Sequence, residues 1–201
     1  MEKFCCSNCD RSYSVDTTRW RCDCGSPFDL EFTPEFFTEK ILKRGPSLWR
    51  YREAIPIRKD KSILSMGEGL TPLEEMEFNG HRVLIKIDYL FPTGSYKDRG
   101  ATVLISKARE LGIKKVVEDS SGNAGSSIAA YCARAGIGCD IYVPESTSSG
   151  KLVQIQTYRA NLKKIEGSRE KTARVTMEAA KKIYYASHCW NPYFLHGTKT
   201  F

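Results

Sequence analysis

From residue 66 onward, predicted strands alternate with predicted helices, and this alternation constrains the fold more than any other feature of the chain. Strands are expected at "KKVVED", "CDIYVP" and "ANLKKIE", which are residues 114–119, 139–144 and 160–166. Helices are expected at residues 97–111, 122–135, 148–158 and 169–185. Strands that are separated by helices pair in parallel, so the sequence predicts an α/β layered fold with a parallel sheet.

The segment before this alternation predicts a hairpin and a connector. The stretch "TPLEEMEFNGHRVLIKIDYL" has the pattern of a β-hairpin, with Asn79-Gly80 supplying a type I′ turn. Residues 34–65 contain one expected helix, around "PSLWRYREAI", and are interpreted as a connector. Trp49 and Tyr51 within it are expected to pack rather than to bind a ligand.

Residues 1–33 are predicted to form a separate, cysteine-rich module. Cys6-x-x-Cys9 and Cys22-x-Cys24 can each form a tight turn that presents two thiolates to one ion. Four thiolates match tetrahedral zinc, or iron, and such a metal often supplies the folding energy of a module too small for its own core. Cys5 competes with Cys6 for the first position, and incidental reduced thiols are the alternative.

Composition and charge limit the class of protein. The chain has 201 residues, 41% apolar and 27% charged, which is the balance of a folded globular protein. No run approaches the roughly 18 apolar residues of a membrane span, and no secretory signal segment is recognised. A cytoplasmic location without membrane contact is therefore expected. The net charge of +7 is spread over segments of mixed sign, which favours solvated helix faces over a nucleic-acid-binding surface.

The stretch "PTGSYKDRG" places Lys97 at the expected first turn of a helix. A cation at that end is unfavourable by roughly 0.3–1 kcal/mol, because the helix N-terminus already carries a partial positive charge. Ser95 and Asp98 have the S-x-x-[DE] spacing of a helix start. A lysine that must be neutral and reactive explains this position, since the helix terminus and Arg99 both disfavour the ammonium form. Such an amine can condense with a carbonyl cofactor.

The stretch "SSGNAGS", residues 120–126, is expected to join a strand to a helix. Ligands bind at the carboxyl edge of parallel sheets, and a helix N-terminus there offers free N–H groups to an anion. Gly122 and Gly125 are expected to let a ligand approach the backbone, and Asn123 can both donate and accept hydrogen bonds. Either stretch alone is weak evidence, but together they predict an anionic ligand held between a helix terminus and Lys97.

Five stretches occur in a characteristic order: "GEGLTPL" (67–73), "PTGSYKDRG" (92–100), "SSGNAGSSIAAYCARAG" (120–136), "YVPESTSSGK" (142–151) and "NPYFLHGTKT" (191–200). Together they resemble the N-terminal part of threonine synthases and related fold-type II pyridoxal-phosphate enzymes, the tryptophan synthase β-like superfamily. The cysteine-rich start resembles the zinc-ribbon-like extension of many threonine synthases. The resemblance covers nearly the whole chain and implies the three-layer parallel-sheet fold of that superfamily.

The resemblance implies roles for individual residues. Lys97 would hold pyridoxal 5′-phosphate covalently and later move protons at the substrate carbons, while Asn123 would hydrogen-bond the 3′ oxygen of the cofactor. Asp98 and Arg99 would cap and brace the helix, and Tyr96 replaces a phenylalanine that is common in the family. The α-carboxylate of the substrate would bind at Ser120, Ser121, Gly122, Asn123 and Ala124.

The resemblance also implies a reaction. For a threonine synthase the substrate would be O-phosphohomoserine, an anionic phosphorylated amino acid, and the products would be threonine and phosphate. The nearest alternatives are a β-eliminating threonine dehydratase and a β-replacement enzyme of the cysteine or cysteate synthase type. "GEGLTPL" and the cysteine pairs favour the threonine synthase type. A non-enzyme alternative, a zinc-ribbon protein that binds nucleic acid, would leave the two junction motifs as coincidence.

The chain departs from the family pattern after Lys151, where no glycine-rich loop for the cofactor phosphate follows. The ending "NPYFLHGTKTF" is interpreted as a truncation, so residues 66–201 are expected to be the N-terminal part of a catalytic domain whose second lobe is missing. These residues are expected to hold the cofactor poorly and to turn over little or nothing. Apolar surface exposed by the missing lobe would favour a homodimer.

Four further side chains receive a structural interpretation. His188 beside Cys189 is interpreted as packing at a strand end rather than as a metal pair. Cys132 and Cys139 are expected to be small buried apolar residues, and His196 is given no role.

Overall fold

The computed structural model describes residues 2–201, in which the cysteine-rich segment forms a small antiparallel sheet. Its strands are β1 (Lys3–Cys6), β2 (Ser12–Ser14) and β3 (Phe28–Glu31), in the order β2-β1-β3. Phe4 stacks on Phe28 at 5.2 Å and meets Tyr193 edge-on at 5.9 Å between ring centroids. The aromatic contact with Tyr193, near the end of the chain, fastens this module to the rest of the protein.

The connector differs from its prediction. Instead of one α-helix around "PSLWRYREAI", it contains helix α1 (Thr38–Lys43) and a 3-10 segment, Leu48–Ala54, which is kinked at Tyr51. The packing role of Trp49 is confirmed, because its ring is buried and its Nε1 donates to Thr102 Oγ1 at 3.1 Å. Side-chain contacts with the following domain, rather than helix propensity, determine the path of the connector.

The predicted hairpin is confirmed. Strands β4 (Leu73–Phe78) and β5 (His81–Lys86) are antiparallel, and the turn residues Asn79 and Gly80 have φ values of 50° and 75°, as a type I′ turn requires. The hairpin forms its own two-stranded sheet within the described chain, and most of its side chains are exposed.

The α/β layers follow the predicted alternation. The elements are α2 (Lys97–Glu110), β6 (Lys115–Glu118), α3 (Asn123–Ala135), β7 (Gly138–Pro144), α4 (Ser149–Thr157), β8 (Asn161–Ile165), α5 (Arg169–Ala179), β9 (Tyr184–Tyr185) and α6 (Pro192–Thr198). The four strands pair in parallel in the order β8-β7-β6-β9. The predicted fold class, an α/β fold with a parallel sheet, is confirmed.

The end of the last long helix was predicted wrongly. Helix α5 ends at Ala179 rather than continuing to residue 185, and Tyr184–Tyr185 instead forms strand β9 beside β6. Pairing with β6 buries both tyrosines, and the Tyr185 hydroxyl donates to Asp119 at 2.8 Å. A helical pattern in "KKIYY" is thus overridden by burial in the sheet.

Helix α6 packs closely against α2 because glycine occurs on both helices. A β-carbon at Gly100 would lie 2.5 Å from the Phe194 ring, and one at Gly197 would overlap the carbonyl oxygen of Arg99. This close approach fixes the stretch "NPYFLHGT" against the first turns of α2, where Lys97 lies.

The helices of residues 2–201 are all unsuited to crossing a membrane. The longest of those described here, α2, has 14 residues, and none combines the length and apolar character that a bilayer span requires.

Candidate functional site

Lys97 is the first residue of α2, and its side chain is half-buried between two aromatic rings. Its Nζ lies 4.7 Å from the centroid of Tyr96 and 5.7 Å from that of Phe194. Its backbone N–H donates to Ser95 Oγ at 3.3 Å. The two rings shield the amine on part of its surface, and the rest is open to the cavity described below.

The Asp98 carboxylate, next in sequence, is fully buried and links two parts of the molecule. It accepts hydrogen bonds from Thr93 N–H at 2.9 Å, from Thr93 Oγ1 at 2.5 Å and from Ser127 Oγ at 2.5 Å. Burial raises the pKa of Asp98, and the hydrogen bonds from Ser127 and Thr93 oppose that effect. The carboxylate therefore closes the loop before α2 and fastens it to α3.

The expected cap of α2 is wrong in detail. Tyr96 rather than Ser95 occupies the N-cap position, and Ser95 Oγ meets the N–H of Lys97. Asp98 reaches back to Thr93 instead of returning a hydrogen bond to Ser95. The S-x-x-D spacing thus marks the start of α2 correctly, but Asp98 joins α2 to α3 instead of capping α2.

Arg99 braces the same region, as predicted. Its guanidinium is buried, donates from Nε to Asp88 Oδ2 at 3.1 Å and from NH1 to the Thr200 carbonyl oxygen at 2.7 Å, and lies over the Phe91 ring. The Asp88 carboxylate offsets the positive charge that Arg99 was expected to exert on Lys97. Arg99 therefore acts mainly by holding α2 against the end of the chain.

The second junction lies at the carboxyl end of β6. Ser120 Oγ accepts the N–H of Gly122 at 3.3 Å, and α3 begins with Asn123, whose side chain is exposed. The space where a β-carbon of Gly122 would lie is open, as the approach of a ligand requires. The expectation for Gly125 is wrong, because a β-carbon there would overlap the carbonyl oxygen of Ser120. Gly125 lets the loop fold back on the helix.

Only this second junction lies at the edge of the parallel sheet. Lys97 follows the hairpin and a 3-10 turn, Asp88–Leu90, so it does not extend from a strand of that sheet as expected. The two stretches are brought together by the Asp98–Ser127 hydrogen bond, which contacts α3 about one turn after Asn123. A second bond, from Gln154 Nε2 of α4 to the Thr93 carbonyl oxygen at 2.9 Å, holds the same loop.

Lys97 opens onto a cavity of about 420 Å³ between β3 and α6. Its wall includes Tyr96, Leu30, His188, Cys189 and His196. The cavity joins the lysine to the cysteine-rich module, so the module forms part of the surroundings of the candidate site.

A chain of three polar side chains, which runs from this wall to the buried end of β6, was not anticipated. Glu118 at the end of β6 is fully buried, and its Oε1 lies 2.6 Å from His188 Nδ1, while His188 Nε2 lies 3.3 Å from Cys189 Sγ. Burial raises the pKa of Glu118, and the contact with His188 opposes it. Burial and the charge of Glu118 raise the pKa of Cys189, and the nearby charge of Lys97 opposes that rise.

The sequence interpretation of His188 as a residue at a strand end is confirmed in position, because it follows β9. Its link to Glu118 depends on β9 pairing with β6, and that pairing was hidden when residues 184 and 185 were assigned to a helix. The sequence signal for this contact is a carboxylate, Glu118, at the end of one buried strand and a histidine, His188, shortly after a neighbouring strand.

Four thiols of the cysteine-rich module converge on one point. The Sγ atoms of Cys6, Cys9, Cys22 and Cys24 all lie within 4.8 Å of one another. Cys5 Sγ instead donates to Glu31 Oε2 at 3.4 Å, so the geometry selects Cys6 over Cys5 for the cluster. Hydrogen bonds from Ser26 lower the pKa of Cys24 to about 6, which favours the thiolate form that metals bind.

Comparison with known proteins identifies the family. The protein-family model described as pyridoxal-phosphate dependent enzyme matches residues 64–201 of the sequence. This range includes Lys97, Asp98 and the junction at residues 120–124. The chain belongs to this family. Within this family, its sequence is similar to the sequences of threonine synthases.

Two relatives and one solved structure illustrate the similarity. The chain is 35% identical to a threonine synthase of Methanocaldococcus jannaschii and 32% identical to one of Methanosarcina acetivorans, over 97% of this chain in both cases. It covers 51% and 50% of those proteins, so it spans about half the length of the curated relatives it matches. A crystal structure of a pyridoxal 5′-phosphate-dependent aspartate racemase is 30% identical, with a TM-score of 0.55, over 63% of this chain and 42% of that one.

His196 on the cavity wall generates a prediction about pH. Burial and the charge of Lys199, whose Nζ lies 2.9 Å from His196 Nδ1, lower the pKa of His196 to about 4. Because the pKa of His196 is lower in the folded protein than the unfolded value near 6.5, the unfolded state binds the proton at a higher pH. The stability that His196 contributes is therefore fully present above pH 6.5 and is lost as the pH falls toward 4. Urea unfolding should show that the free energy of unfolding decreases more between pH 7 and pH 4.5 in the wild type than in His196→Gln.

The decrease in the free energy of unfolding should be larger in the wild type than in His196→Gln by roughly 1–2 kcal/mol. This is less than the full pKa shift would give, because the ring is partly exposed. Equal losses in the two proteins would contradict the assignment of a depressed pKa to His196.

Proposed function

We propose that this chain supplies the lysine and the carboxylate-binding half of a pyridoxal-phosphate-dependent lyase of the threonine synthase type. The observation that carries the proposal is the buried Asp98 carboxylate, which joins the Lys97 loop at Thr93 to helix α3 at Ser127. This link holds a half-buried amine and an open helix N-terminus in one fixed arrangement. Family membership supports the cofactor, and the names of the relatives support the reaction type.

The residues present suit the proposed cofactor. The amine of Lys97 lies between the rings of Tyr96 and Phe194 and opens onto a cavity of about 420 Å³. Residues 120–124 do not line that cavity and are joined to the Lys97 loop through Asp98 and Ser127. The open space at Gly122 and the free N–H groups at the start of α3 suit an anionic group. Pyridoxal phosphate supplies an electron sink that stabilises negative charge at the substrate carbons.

Each residue of the site has a distinct proposed task. The Lys97 amine anchors the cofactor, takes the α-hydrogen of the substrate as a proton and then moves a proton at the β-carbon. The Asn123 side chain hydrogen-bonds the 3′ oxygen of the cofactor. The backbone of residues 120–124 binds the substrate α-carboxylate, since the N-terminus of α3 favours negative charge. Asp98 positions both partners and takes no proton from the substrate.

The proposed substrate is O-phosphohomoserine, with water adding at the β-carbon and phosphate leaving from the γ-carbon. The net charge of +7 is compatible with an anionic substrate of this kind. The residues that we assign to the site act at the amino-acid end of the substrate, and the phosphate leaving group is proposed from the names of the relatives.

The reaction is tested by α-hydrogen exchange, which needs only the first proposed step. The chain is expected to hold the cofactor poorly, so the assay uses excess pyridoxal phosphate in deuterated buffer. Under these conditions we expect slow exchange of the α-hydrogen of O-phosphohomoserine, as measured by NMR, even where complete turnover to threonine is small. Lys97→Ala should slow the exchange at least about 100-fold, because the general base is removed. Lys61→Ala, which removes an exposed lysine elsewhere, should leave the rate unchanged.

Exchange at the wild-type rate in Lys97→Ala would contradict the catalytic role of this lysine. Faster exchange with threonine or with O-acetylserine than with O-phosphohomoserine would instead support the dehydratase type or the synthase type.

We also propose that Cys6, Cys9, Cys22 and Cys24 bind a structural zinc ion. The convergence of their sulfur atoms supports this, because four thiolates around one point match the tetrahedral coordination of zinc. The ion would stabilise a module of three short strands that packs on α6 through Phe4 and Tyr193. Its role is therefore to maintain one wall of the Lys97 cavity.

Metal analysis of the purified protein tests this. We expect about one zinc ion per chain in the wild type and in Cys5→Ser, and a marked loss of zinc with a lower Tm in Cys9→Ser. Absence of metal from the wild type, or an unchanged Tm after treatment with a strong chelator, would contradict the zinc assignment.

A further inference from the structure

Another cavity, of about 680 Å³, lies at the edge of the parallel sheet where strands β6 and β9 begin, and residues 120–124 lie at the opposite edge. It is found between the cysteine-rich module and the α/β layers. Its walls come from three separate segments of the chain, residues 18–23, 112–115 and 180–184. The proposed function makes no use of it.

The walls of this cavity are strongly cationic. Six exposed basic side chains and one acidic side chain, Asp23, line it. The basic residues are Arg19, Arg21, Lys114, Lys115, Lys181 and Lys182. Their concentration in one cavity contrasts with the mixed signs of the sequence as a whole, because residues distant along the chain come together only in the fold. An anion that enters this cavity is attracted from three sides.

Within the described part of the chain, three of the six basic side chains form salt bridges, and three do not. Arg19 pairs with Asp23, Lys115 with Asp140 at 2.9 Å, and Lys181 with Glu178 at 2.6 Å. Among residues 2–201, the remaining three, Arg21, Lys114 and Lys182, form no salt bridge. One unpaired cation therefore comes from each of the three wall segments.

An aromatic surface adjoins the unpaired cations. The guanidinium of Arg21 lies over the Trp20 ring at 4.4 Å, and Trp20 is held edge-on by Tyr185 at 5.3 Å and by Trp190 at 5.0 Å. A guanidinium stacked on an indole presents a flat, positively charged face, on which a heteroaromatic ring can stack. Trp20 is almost fully buried, so its ring has a fixed position, and the exposed guanidinium of Arg21 is the part of this surface that a ligand can contact.

We propose that this cavity binds a nucleoside triphosphate. The three unpaired cations suit a chain of phosphates better than a single phosphate ion, which would leave most of a 680 Å³ cavity empty. The Arg21–Trp20 stack provides a surface for the base. The ligand contacts both the cysteine-rich module, through Arg21, and the α/β layers, through Lys114 and Lys182. Binding therefore joins the two parts and raises the Tm.

The experiment measures ATP binding to the purified 201-residue chain by calorimetry and by the change in tryptophan fluorescence, with the Tm as a second readout. Lys114→Glu combined with Lys182→Glu should weaken ATP binding at least tenfold. Lys163→Glu combined with Lys164→Glu, on exposed positions of β8, makes the same change in net charge away from the cavity and should alter affinity less than twofold.

The Gln versions of the cavity variants repeat the test if charge reversal prevents folding. Arg21→Ala should remove the advantage of ATP over inorganic tripolyphosphate, because the stacking face is lost. No binding of ATP at millimolar concentration, or equal weakening by the two pairs of glutamate substitutions, would overturn the proposal. Tripolyphosphate binding as tightly as ATP to the wild type would overturn the assignment of a nucleoside.

Discussion

The buried carboxylate of Asp98 is the interaction on which the candidate site depends. It accepts three hydrogen bonds, two from Thr93 in the loop before α2 and one from Ser127 on α3. A buried carboxylate without these donors would cost several kcal/mol, so the loop and the helix must both be in place for the fold to be stable. The position of Lys97, the preceding residue, follows from this requirement.

Other contacts restrict the same loop from different directions. Gln154 of α4 donates to the Thr93 carbonyl oxygen, and Arg99 pairs with Asp88 beneath α2. Helix α6 closes over α2 because Gly197 allows backbone contact with Arg99. A reactive amine that is held by its neighbours on rigid elements loses little further freedom when it meets a cofactor, which is the physical basis of preorganisation.

Much of the fold was predictable because its signals are local. Periodicity and turn residues located the helices and strands from residue 97 to residue 179, and the Asn79-Gly80 turn set the hairpin. The missed features are non-local. Strand β9 has two residues and is defined by its partner β6, and the Glu118–His188 contact exists only because of that pairing. The role of Asp98 was misjudged for the same reason, since Ser127 lies 29 positions away along the chain.

The most direct test of the central claim maps the lysine that pyridoxal phosphate modifies. The protein is treated with limiting pyridoxal phosphate, reduced with borohydride and analysed by peptide mass spectrometry, in the wild type and in Asp98→Asn shown to be folded by circular dichroism. We expect the label to concentrate on Lys97 in the wild type and to spread over exposed lysines in the variant. Labelling mainly of another lysine in the wild type, or unchanged selectivity for Lys97 in the variant, would contradict the claim.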